Sequence, residues 1–342
     1  MKKKIVVTGG TGYIGSHTAV ELIEEGFDVL LIDNLYNSEA FVAERISKIT
    51  GIQPSLEVFD ICDRGKLDAF FKNNSDISAI IHFAAYKAVG ESVTKPLQYY
   101  RNNLVSLMNL LESMQEYHIP AFVFSSSCTV YGQPAKLPVK EDSPIQPATS
   151  PYGNTKQIGE EIIRDTVSVS KNLKAISLRY FNPIGAHESA LIGELPRGVP
   201  ENLVPFITQT AIGLRKELKV FGNDYDTPDG SCIRDYLHVV DLAKAHVVAV
   251  KRLLDNKCKS PYEVFNLGTG KGVSVLEAIK SFEKVSGTKL NYTVTGRRAG
   301  DIEKIWADPS YANSELGWKT LSSLDEAMKT AWEWEKAVRN KK

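Results

Sequence analysis

Residues 4–15 read Lys-Ile-Val-Val-Thr-Gly-Gly-Thr-Gly-Tyr-Ile-Gly, a short β-branched run that ends in a turn with glycines at 9, 12 and 15 and then enters a helical pattern. A strand that stops at such a turn and leads into a helix is the opening of a β-α-β unit. The glycines permit the tight turn and let backbone N–H groups come close to a pyrophosphate, and the helix N-terminus adds partial positive charge. Alone, the pattern equally describes an ordinary strand–helix turn. Its context argues for a dinucleotide: Asp33 closes the second strand about 20 residues on, where a carboxylate takes adenosine ribose hydroxyls and disfavours a 2′-phosphate. That position favours NAD over NADP.

Strand and helix patterns alternate through the first half. Strands are predicted at 4–8, 29–32, 56–59, 79–83, 122–125 and 175–179, and helices at 13–25, 39–50, 66–73, 96–117 and 152–169. The alternation predicts an α/β fold, a doubly wound parallel sheet of the Rossmann type covered on both faces, with a smaller mixed α/β C-terminal domain. The boundary is placed near Phe181: residues 1–180 as the cofactor domain and 181–342 as the substrate domain. Segments within 235–268, including the strand-like Tyr262–Leu267, are candidates to return to the first domain. The stretch 133–151 reads as a loop over the switch point, 183–205 as a loop rich in Gly and Pro, and Leu324, Ala327, Met328, Ala331 and Trp332 as the apolar face of a final helix.

Lys plus Arg and Asp plus Glu both number 41, so no basic excess points to nucleic acid or to an anionic membrane. The 342 residues can bury a full core without disulfides. Cys62, Cys128, Cys232 and Cys258 show no CxxC or Cys/His ligand spacing, so no metal is expected and the thiols read as reduced, in a cytoplasmic protein. The basic start, Met1 to Lys4, leads into a strand and not into a signal sequence. No apolar run is long enough to cross a bilayer.

The chemical residues follow the fifth strand. Tyr152 and Lys156 in Ser-Pro-Tyr-Gly-Asn-Thr-Lys are four apart, which on a helix sets both on one face about 6 Å apart. An ammonium beside a phenol favours the phenolate, so the spacing predicts a tyrosine lowered from about 10 towards neutrality, as a general base requires. Ser127, in Ser125-Ser126-Ser127-Cys128-Thr129, ends the strand where a hydroxyl would lie beside a nicotinamide. Each residue alone has a plain reading, as a turn serine or a helix-surface side chain. Asp60, at the end of the third strand, could reach an adenine or serve as a turn aspartate before Asp63. Phe83, Ala84 and Ala85 end the fourth strand where small residues let a cofactor pass. Lys87 is a candidate for a ribose or phosphate, or a solvated loop lysine. Arg234 and Arg298 can neutralise a diphosphate, Phe221 can stack on a base, and Arg298 can instead pair with Asp301 or Glu303.

The markers 8–17 (TGGTGYIGSH), 33–35, 81–92, 124–132, 150–156 (SPYGNTK), 178–187 (LRYFNPIGAH), 221–243 and 297–301 (RRAGD) together resemble the extended short-chain dehydrogenase/reductase superfamily. Within it they closely resemble the UDP-glucose 4-epimerase family, over nearly the whole length. That resemblance implies an isomerase that interconverts UDP-glucose and UDP-galactose through a 4-keto sugar and tightly bound NAD, with UDP-GlcNAc and UDP-GalNAc as further substrates. It implies Tyr152 as acid/base on the sugar 4-hydroxyl, Lys156 on the nicotinamide ribose and Ser127 on the 4-oxygen. The implied cofactor residues are Gly9, Gly12, Tyr13, Ile14, Gly15, Asp33, Asn34, Asp60, Ile61, Phe83, Ala84, Ala85, Lys87, Asn102, Tyr152, Lys156 and Tyr180. The implied UDP-sugar residues are Ser127, Tyr152, Asn182, Asn202, Leu203, Phe221, Arg234, Arg298, Asp301 and Ile305, the last near the sugar 2-position, where it departs from a bulky tyrosine. Dehydratases of the superfamily carry Asp-Glu after the strand-end hydroxyl, where this chain has Cys128 and Thr129. A homodimer is implied, through helices near 95–117 and 152–169. A dehydrogenase or reductase with net redox, and a non-catalytic NAD-binding regulator, remain as alternatives.

Overall fold

The computed structural model describes residues 2–298 and 301–340; Met1, Lys341, Lys342 and the Ala299-Gly300 pair of the RRAGD marker lie outside the described residues. In chain order the strands of the first half are β1 (Lys4–Thr8), β2 (Asp28–Asp33), β3 (Ser55–Val58), β4 (Ile77–His82), β5 (Ala121–Ser127) and β6 (Lys174–Tyr180). Those of the second half are β7 (Asn182–Ile184), β8 (Leu218–Phe221), β9 (Ile233–Arg234), β10 (Tyr236–His238), β11 (Tyr262–Leu267), β12 (Val273–Ser274) and β13 (Tyr292–Thr295). The helices are α1 (Tyr13–Glu24), α2 (Phe41–Thr50), α3 (Arg64–Asn73), α4 (Val89–Thr94), α5 (Pro96–Glu116), α6 (Pro151–Val169), α7 (Leu203–Ala211), α8 (Val239–Leu254), α9 (Val275–Ser286) and α10 (Leu324–Arg339).

Seven strands form one parallel sheet in the order β11-β6-β5-β4-β1-β2-β3. The chain winds outward from β1 to β3, then crosses back to β4 and continues the other way. Ligands of such sheets bind at the strand C-termini where the winding reverses, here between β1 and β4. Ile5, Val6 and Val7 are all fully buried, as expected of a strand covered on both faces. Strand alternation divides them: Ile5 and Val7 pack with Ala19 and Leu22 of α1, Ile46 of α2 and Leu242 of α8. Val6 packs on the opposite face with Phe71 of α3, Leu107 and Leu110 of α5 and Ile163 of α6. β11 forms one edge of the sheet and β3 the other, with Phe265 of β11 opposite Leu178 of β6. A third cluster, built from Ile207 of α7, Phe282 of α9 and Met328 of α10, forms the core of the second half. Among the described residues, no helix is long and apolar enough to cross a membrane.

Candidate active site

The strand ends and the loops above them enclose a cleft of about 860 Å³. Gly9 begins the turn under it at φ +68°, a conformation glycine adopts without steric cost. A Cβ on Gly15 would lie 2.2 Å from the Gly9 carbonyl oxygen, so the turn folds against the helix only because this position has no side chain. No side chain caps α1. Its first N–H groups, at Tyr13 and Ile14, therefore face the cleft without an internal acceptor and suit a phosphate. Asp33 closes β2 and organises the adjoining loop, accepting from Thr11 N at 3.1 Å, Leu35 N at 2.9 Å and Ser38 Oγ at 2.8 Å.

Every residue assigned to the cofactor from the sequence lines this cleft: the turn glycines, Tyr13, Ile14, Asp33, Asn34, Asp60, Ile61, Phe83, Ala84, Ala85, Lys87, Asn102, Tyr152, Lys156 and Tyr180. Asp60 also has its plain reading, accepting from Cys62 N at 2.8 Å as a turn aspartate. Lys87 is ion-paired with Glu194 at 3.0 Å, and Asn202 donates to the same carboxylate at 2.6 Å.

At the far end, α6 is started by Ser150, whose hydroxyl accepts from Gly153 N at 3.1 Å, with Pro151 in the first turn. This aims Tyr152 and Lys156 towards the end of β5. Lys156 Nζ donates to the Ser125 carbonyl at 2.6 Å and lies 5.8 Å from the Tyr152 ring centre. Burial pulls the ammonium down to about 8, opposed by Glu160 one turn further along the helix. The expected depression of the tyrosine is not found. Burial pushes the Tyr152 phenol up to about 12, and the Ser127 hydroxyl beside it offsets only part of that rise. The reason is geometric: the ammonium is engaged with a backbone carbonyl under the ring face, while the phenol oxygen sits in a dry site. Lowering it requires a further positive charge in the cleft, such as an oxidised nicotinamide would bring. Cys128 is likewise pushed up to about 12 by burial, so it is an inert thiol and no nucleophile.

The substrate candidates divide. Ser127, Tyr152, Asn182 and Asn202 line the cleft. Asn182 Oδ1 is buried and has no hydrogen-bond partner among the described residues, an acceptor left over for a ligand. Leu203, Phe221, Arg234, Arg298, Asp301 and Ile305 do not form part of the cleft wall. Arg298 stacks over Phe221 at 5.2 Å and pairs with Asp301 at 2.7 Å. Arg234 donates to the Ile233 carbonyl at 2.8 Å. Ile305 is only 2% exposed and packs in the main apolar core. Two features went unread in the sequence. Glu194 and Arg197 cross the cleft from the 183–205 loop, and Arg197 donates to the Tyr36 carbonyl at 2.8 Å and the Ser38 carbonyl at 2.7 Å. Their pairing spans more than 100 residues in a segment with no periodicity, so nothing local announces it. Glu160, by contrast, continues the Tyr152–Lys156 spacing by one more turn and was there to be found.

Residues 6–331 match the family profile described as GDP-mannose 4,6 dehydratase. A UDP-glucose 4-epimerase from Bacillus subtilis (strain 168) is 49% identical over 331 residues, covering 97% of this chain and 96% of its own. A solved UDP-glucose 4-epimerase from Stenotrophomonas maltophila, with bound NAD and formylated UDP-arabinopyranose, is 45% identical with a TM-score of 0.95, covering 99% of this chain and all of its own. The UDP-Glc/GlcNAc 4-epimerase from Campylobacter jejuni is 36% identical with a TM-score of 0.83, over 98% and 99% of the two chains. The Cys128-Thr129 pair stands where dehydratases carry their acidic residues, so the profile match marks the superfamily and the full-length relatives narrow it. On its fold, its cleft and these relatives, the chain belongs to the UDP-glucose 4-epimerase family of the extended short-chain dehydrogenases/reductases.

Proposed function

We propose that this chain is an isomerase that inverts C4 of UDP-hexoses, interconverting UDP-glucose and UDP-galactose through a transient 4-keto sugar. The observation that carries the reading is the meeting of Ser127, Tyr152 and Lys156 in the same cleft as the glycine turn, with no acidic pair beside Ser127 to remove water. NAD is the cofactor that the cleft fits, and when bound it supplies the hydride acceptor and donor at C4. Tyr152 carries the proton of the 4-hydroxyl and returns it after the sugar has turned. Ser127 holds the oxygen in both states. The buried ammonium of Lys156 would hold the cofactor ribose and, together with the charge of an oxidised nicotinamide, stabilise charge on the phenol. Arg234, Arg298 and Phe221 would hold the UDP group, so that binding energy resides away from a sugar ring that must rotate. Residues 1–180, with β11 and α8 completing the sheet and its cover, are the proposed cofactor domain, and the rest of 181–342 holds the UDP-sugar.

N-acetylated UDP-hexoses are proposed as further substrates, supported by the likeness to the UDP-Glc/GlcNAc 4-epimerase from Campylobacter jejuni. A homodimer is proposed from the paired helices α5 and α6 and from apolar side chains left on the outer surface of this region, Val93 at 61% and Leu97 at 79% exposed, and a cytoplasmic location from the four free cysteines. Turnover of UDP-galactose by Tyr152→Phe and Ser127→Ala tests the chemistry. Tyr152→Phe is expected to lose about 10²–10⁴-fold in kcat, and near-full turnover would remove the assignment.

A further inference from the structure

Glu160 lies one turn beyond Lys156 and two beyond Tyr152 on α6, so the three side chains share a face. It is only 4% exposed, and both its oxygens are engaged. Oε1 accepts from Ser126 Oγ at 2.5 Å and Arg179 Nε at 2.8 Å, and Oε2 accepts from Arg179 Nη2 at 2.5 Å. Arg179 donates onward to Tyr131 Oη at 3.0 Å, which donates to Asn266 Oδ1 at 2.6 Å. One network therefore ties α6 to β5, β6 and β11.

Its attachment point on β5 is informative. Ser126 stands between Ser125, whose carbonyl takes the Lys156 ammonium, and Ser127. The next inward positions of α6, Ile163 and Val167, hold the helix to the sheet with apolar side chains alone. A buried ion pair is a poor choice for adhesion, because desolvation offsets its attraction. Its place directly behind the reacting groups calls for a different account.

Resting on the epimerase reading above, we propose that Glu160 is a positioning residue for the reaction, fixing Lys156 and the Ser125–Ser127 strand end against each other and supplying the anion that keeps Lys156 charged in a dry site. The groups facing Lys156 leave that task to it. Phe124 of β5 presents a ring at 4.9 Å. His82 of β4 is neutral, lowered to about 3 by burial and then by the Lys156 charge. Tyr152 and, from β6, Tyr180 are held protonated by burial. Arg179 of β6 is a cation already paired with Glu160.

The test uses NAD-loaded protein and four forms: wild type, Glu160→Gln, Glu160→Asp, and Glu160→Gln with Arg179→Met. The double variant removes the guanidinium that the single change would leave buried and unpaired, so it keeps the test open if Glu160→Gln does not fold. Profiles of kcat and KM for UDP-galactose against pH are measured, with NAD per chain determined after denaturation. In both forms lacking the carboxylate, the alkaline limb of kcat is expected to move acidward by roughly one pH unit. KM and NAD content are expected to stay at wild-type values, and Glu160→Asp to restore the limb. A folded variant whose limb stays in place, with kcat lowered equally at every pH or not at all, would reduce Glu160 to a structural part and overturn the proposal. Loss of NAD from folded variants would make it a cofactor anchor, which also overturns it. Wild-type protein that does not turn over UDP-galactose would instead sink the epimerase reading, and this proposal with it.

Discussion

Replacing Gly15 by alanine should empty the cleft without unfolding the chain. The added Cβ would sit 2.2 Å from the Gly9 carbonyl oxygen and 3.0 Å from its carbon, about 1 Å short of an ordinary C···O contact. The obstacle is backbone, and it cannot swing aside. Gly9 N donates to Ile32 O at 2.8 Å, and Gly9 O accepts from Gly12 N at 3.0 Å. The turn must therefore lift off α1 by several tenths of an ångström or more, at a cost of about 1–3 kcal/mol. The N–H groups of Tyr13 and Ile14 move out of register with a phosphate, and a loss of about 1.4–2.8 kcal/mol there weakens NAD by about 10–100-fold. Gly26→Ala is the control. Gly26 has φ +86° with nothing within 4 Å of its Cβ direction. It should cost a similar 1–2 kcal/mol from the left-handed backbone alone and leave the cleft untouched. Thermal unfolding and NAD per chain after gel filtration are measured on both. The reasoning predicts comparable losses of stability and NAD loss from Gly15→Ala only. Equal NAD content in the two variants would refute it.

Three further outcomes are expected. Lys156 is depressed from 10.5 to about 8, so its charge is present below that value and lost above it. Wild-type kcat should be level below about pH 8 and fall as pH rises through it, and a profile still level near about pH 10 would contradict this. The Asp235 carboxylate accepts from Thr269 N at 2.8 Å, Thr269 Oγ1 at 2.7 Å, Gly270 N at 3.2 Å and Ala307 N at 3.2 Å. Asp235→Asn turns an amide towards those donors and should lower stability by about 2–3 kcal/mol in urea titrations; an unmoved midpoint would count against the network. Arg197→Ala removes an exposed clasp across the cleft and should change stability by under about 1 kcal/mol while speeding exchange of bound NAD for labelled NAD. An unchanged exchange rate would show that the loop does not gate the cofactor.

How much of this was legible beforehand varies by element. Strands β1 and β2 announce themselves as apolar, largely β-branched runs ended by Gly and Asp, because strands buried on both faces are apolar, whereas the edge strand β3 (Ser55–Val58) is mostly exposed and carries Glu57. Tyr262–Leu267, with Val264, Phe265 and Leu267 among polar residues, joins the sheet as one of its two edge strands, beside β6. Helix α4 (Val89–Thr94) is missed, since six residues hold too little periodicity to separate from a loop. The site's residues were legible where chemistry fixes spacing, as with Gly9 to Gly15 and Tyr152 to Lys156. What spacing cannot convey is burial. The phenol of Tyr152 rises because its oxygen is dry and the ammonium points at a carbonyl, and both facts depend on how α6 lies on β5. The Lys87–Glu194 and Arg197–Tyr36 contacts similarly follow from where a long irregular loop comes to rest.

The most direct measurement is conversion of UDP-galactose by purified protein with no cofactor added, followed together with NADH absorbance. The account predicts that UDP-glucose accumulates to equilibrium while the absorbance stays level, because the same retained NAD is restored in every cycle. Conversion that needs added NAD and produces NADH in step with substrate loss would instead mark a net dehydrogenase, and would contradict the claim that C4 is oxidised and then re-reduced within one site.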